Sequence, residues 1–405
     1  MLTPPLLSKM QQEALAFHQA LDLGGTVRSR TIEETFTYLQ PLFKKVGITR
    51  VADIGGLDVL DLPVATAIRP NARHLCGAQG KGLTRELARI SAIVEAIESY
   101  HMEHPPTPEL TGSYAELQEA YPLVDLTTLP LGKIQTGDLQ HAHLEWNSAV
   151  NLMDGKHVYL PHALINLNSS EPTNAAGLFA VSTNGLAGGN TLNEAICHAL
   201  YELIERDAVW HWLQKSRQER DKTKLDLQTI PDEKIQGLIE KFTRAKLAID
   251  VWEIPSVIEL PVYYCITYDK SGLSAGGSFY GSGCHLIRAI ALSRSITEAA
   301  QSRAGFISGS RDDIYPKIYQ QQRVQQKKIL TNPQPAIANG VMPLSISEVI
   351  KHSFNLLDNI KAIIQALKIK GYSSVLVVDH TKPEFNFPVV QVFIPGFKDG
   401  ARGKA

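Results

Sequence analysis

The sequence has no long hydrophobic run. Across its 405 residues no apolar stretch reaches the ~18 residues that a membrane-spanning helix needs. The opening MLTPPLLSKMQQE has no basic start followed by an apolar core, so a secretory signal is not expected. Net charge is also scarce. With 40 basic and 41 acidic residues the balance is −1, which offers no global attraction to nucleic acid or to an anionic membrane. Cysteine is rare, and Cys76, Cys197, Cys265 and Cys284 form no CxxC pair. Free thiols in a reducing cytoplasm are therefore expected, rather than a zinc site or a disulfide framework. A Walker-type phosphate loop is missing too. Gly77-Ala-Gln-Gly80-Lys81-Gly82 has glycines that expose backbone N–H groups and a lysine, but a glycine follows the lysine where Ser or Thr should stand.

What is present is a composition of 44% hydrophobic and 20% charged residues, ordinary for a globular chain and enough for one large core or several small ones. The most informative stretch is Gly185–Arg206, GLAGGNTLNEAICHALYELIER. A glycine-rich loop leads through Asn190-Thr191 into a helical pattern crowded with carboxylates. At about 100° per residue, Glu194, His198, Glu202 and Glu205 fall within an arc of roughly 80°. Ala195, Ile196, Ala199, Leu200, Leu203 and Ile204 fall on the other side. Glutamate is a good helix former, so a solvated face is one reading of that arc. The other is a cation site, because stacked like charges destabilise a helix unless something such as Mg²⁺ neutralises them.

The pattern recurs. Thr84 can cap a helix over 85–101, on which Ser91, Glu95 and Glu98 lie within about 60° of one another, backed by Ile90, Ile93, Val94 and Ile97. Two Glu-x-x-Glu pairs facing each other would supply four carboxylates. That suits Mg²⁺ ions bridging the phosphates of a nucleotide, since each Mg²⁺ takes one or two carboxylates plus phosphate and water oxygens. A third helix, 289–305, carries Glu298 and Gln301 at the same spacing, followed by Arg303 and by Arg311-Asp312-Asp313. The His101-x-x-His104 pair stands where Pro105-Pro106 ends the helix, and a metal role there is disfavoured.

The rest of the chain reads as a helical lead over 11–23, a helix over 31–46 stopped by Gly47, and strands at 49–53 and 64–69. A strand at 141–153 pairs with 155–160, and 161–184 is a loop. Residues 216–245 are charged and helical, strands follow at 249–253 and 262–268, and 276–283 is a glycine-rich turn. A basic, glutamine-rich stretch (319–328) precedes helices near 345–370 and strands at 374–378 and 387–394. The expected fold class is α+β, with mixed or antiparallel sheets and helices carrying clustered Glu around a central site. Strand–helix units recur at 50–104, 140–213 and 262–305. One compact catalytic domain over 1–395 and a flexible tail over 396–405 are expected.

On these residues the chain resembles the YcaO family. The family's S-x-x-x-E-x-x-E helix after a G-K-G loop matches Gly80-Lys81-Gly82 and Ser91, Glu95, Glu98. Its G-N-T-x-x-E-A helix ending E-x-x-E-R-D matches Gly189-Asn190-Thr191, Glu194 and Glu202, Glu205, Arg206, Asp207. Its E-x-x-Q-x-R with a following R-D-D matches Glu298, Gln301, Arg303 and Arg311–Asp313. The resemblance implies ATP- and Mg²⁺-dependent activation of a backbone amide in a ribosomally made peptide or protein, by O-phosphorylation after a nucleophile has added. It implies Mg²⁺ on Glu95, Glu98, Glu202 and Glu205, and nucleotide contacts from Arg28, Thr35, Lys81, Ser91, Asn190, Glu194, Arg206, Glu298 and Gln301. It assigns no catalytic residue beyond these.

The chain ends PGFKDGARGKA rather than in a P-x-P-x-P tail, which looks more like members accompanied by a TfuA-type partner and linked to thioamide formation. An azoline-forming cyclodehydratase is the alternative, and another Mg²⁺–ATP kinase or ligase, or a non-catalytic scaffold, is more remote. A precursor peptide, a TfuA-like or separate leader-binding partner and a homodimer are the expected associations.

Overall fold

Three times along the chain a strand runs straight into a long helix, and this repetition builds the molecule. A computed structural model of the chain describes residues 5–17, 19–132, 139–170, 175, 177–269, 277–313, 317 and 353–398. The glutamine-rich stretch read at 319–328 lies outside the described residues, as do 399–405 of the tail.

The chain opens with α1 (Pro5–Ala16), a two-residue ribbon β1 (Leu21–Asp22) and β2 (Val27–Arg28), then α2 (Ile32–Leu39) and α3 (Leu42–Val46). The expected lead helix over 11–23 thus lies further upstream. Its second half is a hairpin instead, because Gly24-Gly25 forms a turn that Leu23 N–H closes on the Thr26 carbonyl at 2.9 Å. The expected helix over 31–46 is two helices, with Pro41 at the break, where it supplies no N–H to continue the ladder.

The first unit is β3 (Arg50–Asp53), β4 (Val64–Ile68) and β5 (Gly77–Lys81), an antiparallel sheet in that order, followed by α4 (Arg85–Glu103). Thr84 caps α4 as expected, accepting from Leu87 N–H at 3.2 Å. The Gly77–Gly82 segment, whose spacing already failed the phosphate-loop pattern, is mostly a strand. Its glycine serves packing: a Cβ on Gly80 would lie 2.1 Å from the Ala92 nitrogen and 2.3 Å from the Ala88 oxygen, so only glycine lets α4 rest on β5.

The middle unit starts with β6 (Leu110–Gly112), α5 (Tyr114–Leu117) and the hairpin β7 (Leu144–Asn151) and β8 (His157–Pro161), then β9 (Leu186–Gly188) leading into α6 (Leu192–Leu213). The third begins with α7 (Arg217–Asp221) and α8 (Glu233–Arg244). It continues with the antiparallel sheet β10 (Leu247–Ile254), β11 (Val262–Asp269), β12 (Ser278–Cys284) and then α9 (Arg288–Ser308). The glycine-rich stretch read as a turn at 276–283 is β12 over its described part. A Cβ on Gly283 would lie 2.1 Å from the Ala291 oxygen, so close approach of α9 again explains the glycine.

The chain closes with α10 (Leu356–Ile369), β13 (Leu376–Asp379) and β14 (Val389–Phe393). These last strands complete the middle unit. The sheet runs β6-β7-β13-β14-β9, with β8 also on β7, and its described pairings are antiparallel. It is covered on both sides, which is why VVQVF reads as a nearly unbroken apolar run. Val390 and Val392 pack with α6 and α10, while Leu376, Val378 and Phe393 pack with Trp146, Leu144 and Leu160. The start of the tail is docked: Lys398 N–H donates to Asp207 Oδ1 at 2.9 Å and Phe397 packs edge-on against Tyr372. The α+β class with antiparallel sheets is what the sequence led one to expect.

Candidate active site

The inner faces of α4, α6 and α9 meet around one cavity of about 400 Å³. All thirteen residues assigned above line it: Arg28, Thr35, Lys81, Ser91, Glu95, Glu98, Asn190, Glu194, Glu202, Glu205, Arg206, Glu298 and Gln301. The solvated-face reading of the Glu-rich arcs is thereby displaced, because those faces look at each other.

The three helices contribute in register. Ser91, His198 and Arg294 occupy one level, Glu95, Glu202 and Glu298 the level four residues on, and Glu98, Glu205 and Gln301 the level three further. Spacings of four and three keep each set on one helical face. Hydrogen bonds to the strands hold the levels in place. Gln79 N–H donates to Glu95 at 3.1 Å, and Ser282 N–H donates to Glu298 at 3.4 Å, each a strand bonding its own helix.

The last level instead reaches the next unit. Gly188 N–H donates to Glu98 at 2.5 Å, Ser282 Oγ donates to Glu205 at 2.6 Å, and Gln301 Nε2 donates to the Gln79 carbonyl at 3.0 Å. The links run from first unit to second, second to third and third back to first, closing a ring around the cavity.

The charges are unevenly matched. Lys81 pairs with Glu298, whose carboxyl is held below its usual range: burial opposes this, but Lys81, Arg206 and Arg294 outweigh it. Arg206 lies 3.7 Å from Glu202 and Arg28 lies 3.8 Å from Glu194. Glu95, Glu98 and Glu205 have no ion-pair partner among the described residues. Burial raises Glu95 to about 7, against the pull of Lys81 and Arg311. Glu95 is nonetheless an exposed residue, and it lines the cavity. Burial, with Glu95 and Glu202 as like charges, raises Glu98 to about 8. Burial raises Glu202 to about 7, and Glu205 moves in the same direction for the same first reason, with Glu298 adding to it.

These carboxylates await positive charge. Among the described residues no three His, Cys, Asp or Glu side chains form a ready-made metal cage. Separated hard oxygen donors around a wide cavity do fit Mg²⁺, which takes few protein ligands and completes its octahedron with phosphate and water oxygens.

The remaining assigned residues form the wall nearest the N-terminus. Thr35 Oγ1 donates to Asn190 Oδ1 at 3.1 Å, and Glu194 accepts from Ser29 N–H at 2.7 Å and Asn190 N–H at 3.3 Å. Thr191 caps α6 through Glu194 N–H at 3.1 Å, so cap and site share this corner. Leu23, Ile32, Leu83, Leu87 and Ile90 give the cavity an apolar region suited to a flat heterocycle.

Sequence reasoning passed over Arg294, although it stands four residues before Glu298 as Ser91 stands before Glu95. It left His198 without a role, and Phe387, supplied from the far end of the chain, had no local signal. His101 and His104 do not line the cavity. Each bonds through Nδ1 to the carbonyl four residues back, at 2.7 and 2.8 Å, and both pack around Tyr100.

With the geometry in view, comparison with known proteins decides the lineage. Residues 79–398 match the family model described as YcaO cyclodehydratase, ATP- and Mg²⁺-binding. The chain belongs to the YcaO family. Among its relatives is a protein of Rhizobium leguminosarum bv. trifolii described as uncharacterised and in the tfuA 3′ region. It is 31% identical over 391 residues, spanning 93% of this chain and 90% of that protein.

Two solved structures share the YcaO fold. The YcaO from Methanopyrus kandleri bound with AMPPCP and Mg²⁺ has a TM-score of 0.73, 20% identity and 94% coverage of each chain. A heterocyclase in complex with substrate and cofactor has a TM-score of 0.76 and 21% identity, covering 95% of this chain and 55% of that one. No helix among the described residues is long and apolar enough to cross a membrane.

Proposed function

We propose that this YcaO protein uses ATP and Mg²⁺ to O-phosphorylate a backbone amide of a ribosomally made peptide or protein, forming a thioamide together with a TfuA-like partner. One observation carries the activation step: two Glu-x-x-Glu pairs without full cationic compensation face a third helix bearing Arg294, Glu298 and Gln301 across a single cavity. Bound ATP–Mg²⁺ supplies the phosphoryl group that turns the amide oxygen into a leaving group. Phosphoryl transfer asks the protein mainly for positioning and charge neutralisation.

Glu95, Glu98, Glu202 and Glu205 hold Mg²⁺. Lys81, Arg206 and Arg28 meet the anionic end of the nucleotide. Thr35, Ser91, Asn190, Glu194, Glu298 and Gln301 orient the nucleotide and fix the cationic side chains. Lys81 would meet phosphate by giving up its ion pair with Glu298.

The thioamide branch is supported by the relative from the tfuA 3′ region. Azoline formation from Cys, Ser or Thr is the second reading, favoured by the family model's description as a cyclodehydratase and by the heterocyclase of like fold. A homodimer is part of the proposal.

Intact-mass spectrometry of precursor peptides incubated with the protein, ATP, Mg²⁺, sulfide and a TfuA-like protein tests it. Exchange of one oxygen for one sulfur is expected. Loss of one water would replace the thioamide reading with the azoline one. A phosphorylated product with ADP and no oxygen loss would overturn both in favour of a kinase.

A further inference from the structure

Beside the large cavity, where α6 and α9 approach β2 and α10, lies a second recess of about 20 Å³. It shares Arg28, Glu194, His198 and Arg294 with the large cavity, so the two adjoin along those side chains. A space of this size holds one heavy atom and its hydrogens.

Its wall is rich in donors. Tyr201 is 6% exposed, and its hydroxyl, set beside the Cys197 thiol as its nearest polar neighbour, makes no well-formed hydrogen bond among the described residues. The Nε–H of Arg294 makes none either. Leaving such groups unpaired is costly, which points to a ligand that accepts from both. Burial pushes the Cys197 thiol up to about 12, so it stays protonated and can donate.

The recess favours an anion. Its only carboxylate among the described residues, Glu194, already accepts from Ser29 and Asn190 and lies 3.8 Å from Arg28. Arg28 and Arg294 face that one carboxylate on the recess side, although Arg294 also serves Glu202, Glu205 and Glu298 across the larger cavity, and no described residue there offers a hard cation its oxygen shell. The lining is also soft: the Tyr201 ring sits 4.7 Å from the His285 ring, and a sulfur atom completes that side.

We propose that this recess binds a polarisable monoanion of one heavy atom, and that in the reaction this anion is hydrosulfide, the nucleophile of thioamide formation. The identity of the anion rests on the thioamide reading. Hydrosulfide leaves the recess past Arg294 and His198 and adds to the amide carbon, forming the C–S bond. The former carbonyl oxygen takes the γ-phosphoryl group and ADP departs. The C–O bond then breaks, phosphate leaves, and the proton from sulfur goes with it. Amide, HS⁻ and ATP become thioamide, ADP and HPO₄²⁻, and no atom changes oxidation state.

The test uses the full chain. Crystals soaked in sodium bromide should show bromide in the recess by anomalous scattering, and added sodium sulfide should displace it. Tyr201→Phe, checked for an unchanged melting temperature, should raise the KM for sulfide about tenfold, as loss of one buried donor implies, with the KM for ATP unchanged. Absence of bromide from the wild-type recess, or bromide that excess sulfide leaves in place, would overturn the proposal without any variant. So would an unchanged KM for sulfide in a folded Tyr201→Phe protein. Failure of the thioamide reading shows separately, as ATP turnover with no sulfur in the peptide mass. Bromide binding would then report a halide site and the hydrosulfide assignment would fall.

Discussion

Glu95, Glu98 and Glu202 sit where a carboxyl group ionises reluctantly, and this gives the nucleotide-free protein a distinctive response to pH. Folded, they titrate at about 7, 8 and 7, against 4.5 for an ordinary glutamate. Between pH 6.5 and 8 the folded chain therefore holds more protons than the unfolded one, and stability falls as pH rises until it levels off above 8. Buried His101 and His380, pushed down to about 4 and 3 by desolvation, are neutral when folded but take up protons near pH 6.5 when unfolded, so they oppose the trend at the acid end and fall silent as the pH rises past 7. Thermal melts without nucleotide should show the fall, and Mg²⁺ with a non-hydrolysable ATP analogue should flatten it. A pH-independent melting temperature between 7 and 8 would contradict the shifts.

The same residues give a sharper test. Glu95→Gln and Glu202→Gln should each abolish Mg²⁺-dependent ATP binding in a calorimeter while leaving the far-UV circular dichroism and cooperative melt intact, because both side chains face the cavity. Unfolding of either variant would make that carboxylate structural.

At the level of elements, the contact of helix with strand is what places the carboxylates. Gly80 and Gly283 let α4 and α9 lie on their strands at backbone distance. Gly80→Ala should push α4 away from β5. Overpacking of this kind costs about 1–3 kcal/mol. Because Glu95 hangs on Gln79 N–H, the shift should also weaken ATP binding. A lowered melting temperature together with weakened ATP affinity is the expected pair of results. A lowered melting temperature with unchanged affinity would show that the site tolerates movement of α4. The polar stripes of these helices were legible at this scale because a period of 3.6 is a local property. The glycine-rich segments were misread as loops because the sequence pattern of a strand glycine under a helix is the same as that of a turn.

For the whole molecule, the middle unit decides cohesion. β9 pairs with β14, some two hundred residues later in the chain, and α6 packs on Val390 and Val392 of that strand. We propose that residues 1–395 form one catalytic unit. Removal of residues 375–405 should then abolish ATP binding altogether, and the intact chain should melt in a single transition by circular dichroism and by tryptophan fluorescence. Retained ATP binding by the truncated chain, or two separated transitions, would divide the unit.

By itself the sequence determined the three amphipathic helices, the spacing of their carboxylates, the capping of α4 by Thr84 and the class of cation such oxygens suit. Each follows from residues a few positions apart, where helix geometry alone sets the neighbours. Only the tertiary structure decided that the three stripes face one cavity, that each last-level side chain reaches the next unit's strand, and that β13 and β14 complete the sheet under α6. Only it showed that Phe387 joins the large cavity and that Tyr201 and Arg294 share a recess. These are contacts between residues far apart in the chain. They arise because burying the apolar backs of the helices against their sheets leaves their charged faces nowhere to go but toward one another.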